Sequence, residues 1–320
     1  MGVRAMMVVN PQATTTSPWV TDVIVRALSH DFELEVTVTN HRGHAFTLGE
    51  YAHEEKIPII FTLGGDGVIN EVVNGLLSRG ECQTVIAPIP GGSGNVFVRA
   101  LGLPVDPVEA TGALLEAIRD NQTSKINLGH VQAKSADGKS ISRYFVANAG
   151  LGLDAQIINA MEDARAKGHT ASPQRYLATT IREFFRSTDR SKSSLSITRP
   201  GSDPVENVFV ALVQNCSPWT FFGSWALDPN PSASFFTGLD VFMVRKLHLV
   251  ATFGAATKII TRARGRTRGS TYTAWHDQRE FTADSAIPIP LQADGDALGD
   301  ITHAVFTSRP RCLNTVHLVG

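Results

Sequence analysis

The stretch "IPIIFTLGGDGVINEVVNGLL", Ile57 to Leu77, restricts the fold of this chain more than any other. Its apolar run does not alternate, so it reads as a strand buried on both faces, the kind found in parallel sheets covered by helices. The run stops at Gly64, Gly65, Asp66 and Gly67, and a helical spacing begins. One unit later "TVIAPIPGGSGNVFVRALGL" repeats the design of strand, glycines and helix start. Upstream, "AMMVVN" reads as a buried strand and "SPWVTDVIVRALSH" as a helix, with Ser17 at the N-cap and Pro18 in the first turn. "FELEVTVT" is a strand and "GHAFTLGEYAHEE" a helix. Strands alternating with helices predict an α/β domain built on a parallel sheet.

The pattern changes after about Asn127. "INLGHVQA", "SRYFVANAG", "SLSITRP", "ENVFVALVQN" and "GLDVFMVRK" read mostly as strands with no helix between each pair. A helical insert interrupts them at about residues 155–187. "HLVATFGAATKIITRARGR" reads as a further helix, followed by the strand-like "IPIPLQADGD" and the tail "AVFTSRPRCLNTVHLV". The second part is therefore predicted to be a β-rich domain.

Glycines at the C-terminal end of a strand let main-chain amides approach a ligand, and the following helix offers free N–H groups and the positive end of its dipole. Such strand ends collect anions in open α/β sheets. A carboxylate beside a phosphate needs a metal ion or a hydroxyl between them, so Asp66 points to a Mg-nucleotide. The plainer reading is a tight turn with an aspartate near a helix start. The second loop, with Ser93 and Asn95, favours the nucleotide. No G-x-x-x-x-G-K-[ST] occurs, since "DGKS" at 137–140 lacks the upstream glycine and the following helix. The glycine spacing is not that of a dinucleotide fold either.

Of the 320 residues, 42% are hydrophobic and 18% charged, and the net charge of -1 gives no reason to expect nucleic acid. Cys82, Cys216 and Cys312 lie far apart and form no metal or disulfide pattern. The N-terminal apolar core is too short for a signal peptide, and no run is long enough to span a bilayer. A cytoplasmic protein is expected, with any membrane contact peripheral.

These residues resemble the diacylglycerol kinase catalytic family, which includes bacterial lipid kinases and sphingosine kinases. Its G-G-D-G-T loop and N-E-V-V-N-G continuation correspond to Gly64-Gly65-Asp66-Gly67-Val68 and Asn70-Glu71-Val72-Val73-Asn74-Gly75. Its P-x-G-[ST]-x-N is similar to Pro90 to Asn95. Asn10-Pro11, Thr39 with Gly43-His44-Ala45, Gly152-Leu153-Asp154-Ala155 and Asp294-Gly295-Asp296 follow in family order. The resemblance implies an N-terminal domain like those of phosphofructokinases and NAD kinases (residues 1–127 plus 301–320), binding ATP. It implies a β-sandwich for the lipid, with a helical insert, over 128–300. Asn10, Pro11, Thr14, Thr39, Gly64, Gly65, Asp66, Gly67, Asn70, Glu71, Gly92, Ser93 and Asn95 would line the nucleotide site. Asp154 would lie on the substrate side. Asp66, Asp294 and Asp296 would be catalytic, the last two at the reacting hydroxyl. Read without the resemblance, "ADGD" is a turn between strands.

The implied activity is ATP- and Mg2+-dependent phosphorylation of the primary hydroxyl of diacylglycerol, giving phosphatidic acid. A kinase of another lipid alcohol, such as a sphingoid base, and an inactive nucleotide- or lipid-binding relative are the alternatives. Three departures matter. Gln12, Ala13, Thr14, Thr15 and Thr16 replace the family's S-G and basic residue, leaving Arg42 and His44 to supply charge. Val68 replaces threonine. Asp296 replaces glutamate. Thr237-Gly238-Leu239 also lacks the carboxylate of the family's D-G-L turn, so no structural metal is expected. Lys258, Arg262, Arg264, Arg266 and Arg268 suit either an anionic membrane or a solvated helix end. Without interleaved aromatics they do not suit nucleic acid. Trp219, Phe221, Phe222 and Trp225 suit a lipid channel or ordinary core. A homodimer is left open.

Overall fold

The computed structural model describes residues 2–11, 13, 17–152, 193–222, 225–245 and 272–318. The expected insert at 155–187 and the arginine-rich helix after Lys246 lie outside the described residues. In chain order the elements are β1 (Val3–Val9), α1 (Pro18–Asp31), β2 (Phe32–Val38), α2 (His44–Glu54), β3 (Ile59–Gly64), α3 (Asp66–Leu76), β4 (Val85–Pro90), α4 (Val96–Ala100) and α5 (Pro107–Arg119). Then follow β5 (Thr123–Ser135), β6 (Ser140–Phe145), β7 (Asn148–Gly152), β8 (Leu195–Thr198), β9 (Val205–Val208) and β10 (Val210–Gln214). The last are β11 (Thr220–Phe222), β12 (Trp225–Leu227), β13 (Leu239–Val244), β14 (Tyr272–Gln278), β15 (Glu280–Ala293) and β16 (Asp296–Val316). The chain divides into two compact units, Met1–Leu128 with Pro310–Gly320, and Gly129–Arg309.

In the first unit the strand order is β16-β4-β3-β1-β2, and every pair is parallel. All six residues of β3 are buried, as the unalternating apolar run predicts. Pro88 and Pro90 are tolerated in β4 because its pairing with β16 reaches only Val85 and Ile86. Beyond Ile86 the missing N–H groups interrupt no ladder on that side. Ser17 caps α1 by accepting from Val20 N at 3.3 Å, and Asp106 caps α5, a helix not anticipated from the sequence, through Val108 N and Glu109 N. Two helix-interior glycines, Gly49 and Gly75, let α2 and α3 touch backbone to backbone. A Cβ on Gly49 would lie 2.4 Å from Val72 O, and one on Gly75 2.0 Å from Phe46 O. Each glycine costs roughly 1 kcal/mol of helix propensity, and the close approach of the two helices accounts for them.

In the second unit β14-β13-β10-β7-β15-β16 form an antiparallel sheet. β8 and β9 extend it from β15, and β6 pairs with β5. One face carries the core, including Leu151, Val213, Val241, Phe281, Leu291 and Phe306. The rings of Phe281 and Phe306 stack at 4.9 Å. Two expected strands are broken. "SRYFVANAG" divides into β6 and β7 because the N–H groups of Val146 and Ala147 turn to a side chain, that of Asp294, instead of to a neighbouring strand. "ENVFVALVQN" divides at Phe209, just after Asn207 takes φ 59°. The return to the first unit begins at Pro310, later than the Ile301 suggested by the resemblance.

Candidate functional site

Because the strands of the first unit are parallel, the ends of β1, β2, β3 and β4 present their loops along one edge of the sheet. The loops after β3 and β4 abut directly. Gly91 N donates to Gly64 O at 2.8 Å. A Cβ on Gly92 would lie 2.7 Å from Gly65 Cα, and one on Gly91 would lie 2.9 Å from Gly64 Cα. These glycines are thus required by the protein's own packing, which the plainer sequence reading foresaw in part.

Asp66 joins the two loops chemically. Its Oδ2 accepts from Val96 N and its Oδ1 from Phe97 N, both at 3.0 Å, so it satisfies the first N–H groups of α4. Burial pushes its carboxyl above the ordinary aspartate value, opposed by the N–H groups of Phe97 and Val96. The main-chain N–H of Asp66 itself also favours the carboxylate, and the lone-pair capacity left over suits a cation. Asn95, buried and left-handed at φ 49°, closes the second loop by accepting from Gly92 N at 2.9 Å and donating to Gly92 O at 2.7 Å. Its amide is therefore a brace, where the sequence suggested a donor to ligand.

Gly67 differs from its neighbours. It takes no left-handed φ, and no atom of another described element would lie within 4 Å of an added Cβ. Among the described residues nothing explains a glycine in the first turn of α3. That helix opens at Gly65 without a side-chain cap, and Ser93 stands exposed at the tip of the second loop. This open, amide-lined corner has the donor chemistry that suits a polyphosphate.

The remaining expected residues frame it. Asn10 N donates to Leu63 O at 2.9 Å, its carbonyl accepts from Ala13 N at 3.0 Å, and Pro11 follows on the surface. Thr39 N donates to Val9 O at 2.8 Å. Glu71 takes the N–H of Gly43 with both oxygens, at 3.0 and 3.1 Å, fixing the turn that carries Arg42 and His44. Asn70 is fully buried and accepts from Asn74 Nδ2 through both its carbonyl and its Oδ1. Glu71 and Asn70 thus act inside the fold. Thr14 lies outside the described residues.

In the second unit, the Asp-Gly-Asp turn gives its two carboxylates different surroundings. Asp294 is 8% exposed and takes φ 48°. Its Oδ2 accepts from Val146 N at 2.7 Å, and its Oδ1 accepts from Ala147 N and Asn148 N at 2.9 Å. Asp296 is partly exposed, and its Oδ2 accepts from Arg143 Nη2 at 3.2 Å. Buried and half-buried amides brace the surroundings. Asn215 Nδ2 donates to Val146 O, Asn148 Nδ2 to Trp219 O, and Gly295 N to Gln292 Oε1. Arg143, Asn148, Gln292 and Asn215 carry no sequence signal; only the turn reveals them.

Trp219 packs beside Leu212, Phe242 and Val244, an apolar cluster on β10 and β13. The turn before β13 is closed by protein atoms: Gly238 N donates to Asp277 Oδ1 at 2.6 Å, while buried Asp240 accepts from Asp277 N and from His276 Nδ1. Among the described residues no three His, Cys, Asp or Glu side chains converge as a metal site. Asp154 and the cluster from Lys258 to Arg268 lie outside the described residues. Among those described, no helix is long and apolar enough to cross a membrane.

Residues 4–131 match the family model of the diacylglycerol kinase catalytic domain. The chain is similar to a diacylglycerol kinase of Staphylococcus haemolyticus, 32% identical over 42% of this chain and 37% of that protein. It is also similar to a protein of Chromohalobacter salexigens named as a probable lipid kinase, YegS-like, 32% identical over 44% of this chain and 42% of the relative. The matched part thus spans less than half the length of these relatives. Among solved structures, a diacylglycerol kinase from Bacillus anthracis shares the fold with a TM-score of 0.70 at 18% identity, covering 98% of this chain and 97% of that one. Yeast NADH kinase, solved with NADH, gives 0.54 at 11% identity over 100% and 84%.

Proposed function

We propose, from the match of residues 4–131 to the diacylglycerol kinase catalytic-domain family model, that the chain is an ATP-dependent lipid kinase that phosphorylates the primary hydroxyl of diacylglycerol to give phosphatidic acid. The observation that carries the reading is Gly67. It is a glycine that neither backbone conformation nor packing among the described residues requires, beside an uncapped helix start, in the loop that the family model matches. A phosphate seated there gives the missing reason for a bare backbone.

In this reading the first unit holds the nucleotide. Main-chain N–H groups at the start of α3 and the hydroxyl of Ser93 bind the phosphates, and the loops around Asn10 and Thr39 flank them. Asp66 keeps the two glycine loops in register, and its remaining lone pairs suit the Mg2+ that accompanies ATP. Bound Mg-ATP supplies the phosphoryl group and neutralises its charge. The second unit receives the alcohol. Asp296 accepts its proton as the new O–P bond forms and ADP departs. Asp294, held by three amides, sets the turn that presents Asp296. The substrate is reached by peripheral contact with the membrane.

The test incubates the purified chain with γ-labelled ATP, Mg2+ and mixed micelles containing dioctanoylglycerol. Label in the corresponding phosphatidic acid is expected. Label in a sphingoid base alone would replace the substrate assignment, and unchanged ATP in every lipid would overturn the kinase reading.

A further inference from the structure

We propose that Arg143 is a positioning residue for Asp296, holding that carboxylate in the orientation in which it meets the acceptor alcohol. The proposal rests on the kinase reading and adds a residue to it.

A single segment grips both acids of the turn. Its main chain, from Val146 to Asn148, takes the Asp294 carboxylate through three N–H groups. Its side chain at 143 takes Asp296, with Nη2 and Oδ2 3.2 Å apart. The two grips serve different ends. Asp294 is enclosed, and its oxygens are engaged by the backbone. Asp296 and Arg143 keep 20% of their side chains exposed, enough for a substrate group to arrive. A short acidic side chain on a Gly-containing turn has several rotamers, and a charge-assisted bond to a planar guanidinium selects one. Arg143 can do this because β6 fixes its own base, through the register Val131 to Arg143 in the pairing with β5. Its Nε is buried and has no hydrogen-bond partner among the described residues. The guanidinium therefore retains a donor beside the carboxylate.

The bond runs from one nitrogen of a planar guanidinium whose base β6 fixes. Lysine keeps the charge but not the planar, directed donor, so it should restore only part of the effect. Residues acting through one carboxylate should also lose their effects together when that carboxylate is neutralised.

The experiment measures kcat and KM for ATP and for dioctanoylglycerol in wild type, Arg143→Ala, Arg143→Lys, Asp296→Asn and Arg143→Ala/Asp296→Asn, with thermal unfolding of each. For Arg143→Ala we expect kcat to fall by about 10- to 100-fold, with KM for ATP and the unfolding midpoint unchanged. Lysine should recover part of the loss, and the double variant should be no slower than Asp296→Asn alone. Added guanidine should raise the rate of the alanine variant. An Arg143→Ala kcat within about twofold of wild type, or losses that multiply in the double variant, would overturn the positioning role and leave the kinase reading standing. A loss matched by a lowered unfolding midpoint, with no rescue by lysine or guanidine, would reduce Arg143 to a structural residue and overturn it as well. A wild type that transfers no phosphate to any lipid alcohol would overturn the kinase reading and, with it, this role.

Discussion

Asp66 in the first unit and Asp294 in the second lie in the two loops that the sequence marked as chemical, and both turn their carboxylates onto backbone N–H groups. They differ in what they hold. Asp66 accepts from two amides at the start of a five-residue helix, within a loop where open space remains at Gly67. Asp294 accepts from three amides that would otherwise be orphaned in a strand break, and it is nearly fully buried. The lesson is that a conspicuous acid in a glycine turn can be an anchor, with the chemistry displaced to a neighbour: Gly67 and Ser93 in one loop, Asp296 in the other.

The largest effect should separate these anchors. Asp294→Ala leaves three enclosed N–H groups without acceptors, each costing about 1–3 kcal/mol. Allowing for relaxation, a total loss of about 3–5 kcal/mol is expected. Asp66→Ala removes a helix cap and should cost only about 1–2 kcal/mol. Urea unfolding of both variants measures the difference, and equal losses would erase the distinction drawn between the two loops. Both variants should also lose lipid phosphorylation, since each carries a neighbour that the reaction uses.

Two groups shifted by burial, one from each unit, should also respond oppositely to acid. Burial, aided by Arg309, lowers the pKa of His130 from 6.5 to about 4. The unfolded chain therefore binds the proton first. The stability that neutral His130 contributes is complete above pH 6.5, declines as pH falls, and is gone below about 4, at most about 3 kcal/mol. Asp66 has the reverse sign. Its folded pKa lies above 3.8, so its contribution improves as pH falls through that raised value and levels off below 3.8. His130→Gln should flatten the wild-type loss of stability between pH 6.5 and 4, and an unchanged slope would place the acid sensitivity elsewhere.

Gly92→Ala should cost about 1–3 kcal/mol, because its Cβ would meet Gly65 Cα, a main-chain atom that cannot swing aside. The two glycine loops would separate, and nucleotide affinity, read by calorimetry with a non-hydrolysable ATP analogue, should fall with stability.

The sequence made the first unit readable because its signals are local. An unalternating apolar run, a proline after a serine, and glycines at strand ends each fix structure within a few residues. The positions of Ser17, β3 and α3 follow from these directly. The roles of the same residues were less legible, because they depend on contacts distant along the chain. Gly75 reads as part of a motif, yet it meets Phe46. Glu71 reads as a nucleotide ligand, yet it holds Gly43. In the second unit even the strand limits escaped local reading. Nothing within "SRYFVANAG" announces a break, since its cause is an aspartate almost half the chain away. Asp294 and Asp296 were found only by resemblance, and their division of labour depends on Arg143, a lone arginine before an apolar run.

The smallest stability change belongs to the most informative residue. Gly67→Ala meets no atom of another described element within 4 Å and no left-handed backbone. By helix propensity it should leave the fold unchanged or stabilise it by up to about 1 kcal/mol. If phosphate oxygens lie against that bare Cα, the added methyl should still weaken binding of the ATP analogue by about tenfold or more, since 1.4 kcal/mol of crowding suffices. Gly92→Ala loses affinity together with stability, whereas Gly67→Ala should lose affinity alone. A Gly67→Ala protein that binds the analogue as tightly as wild type would remove the observation on which the nucleotide site rests, leaving the abutting loops as a packing device.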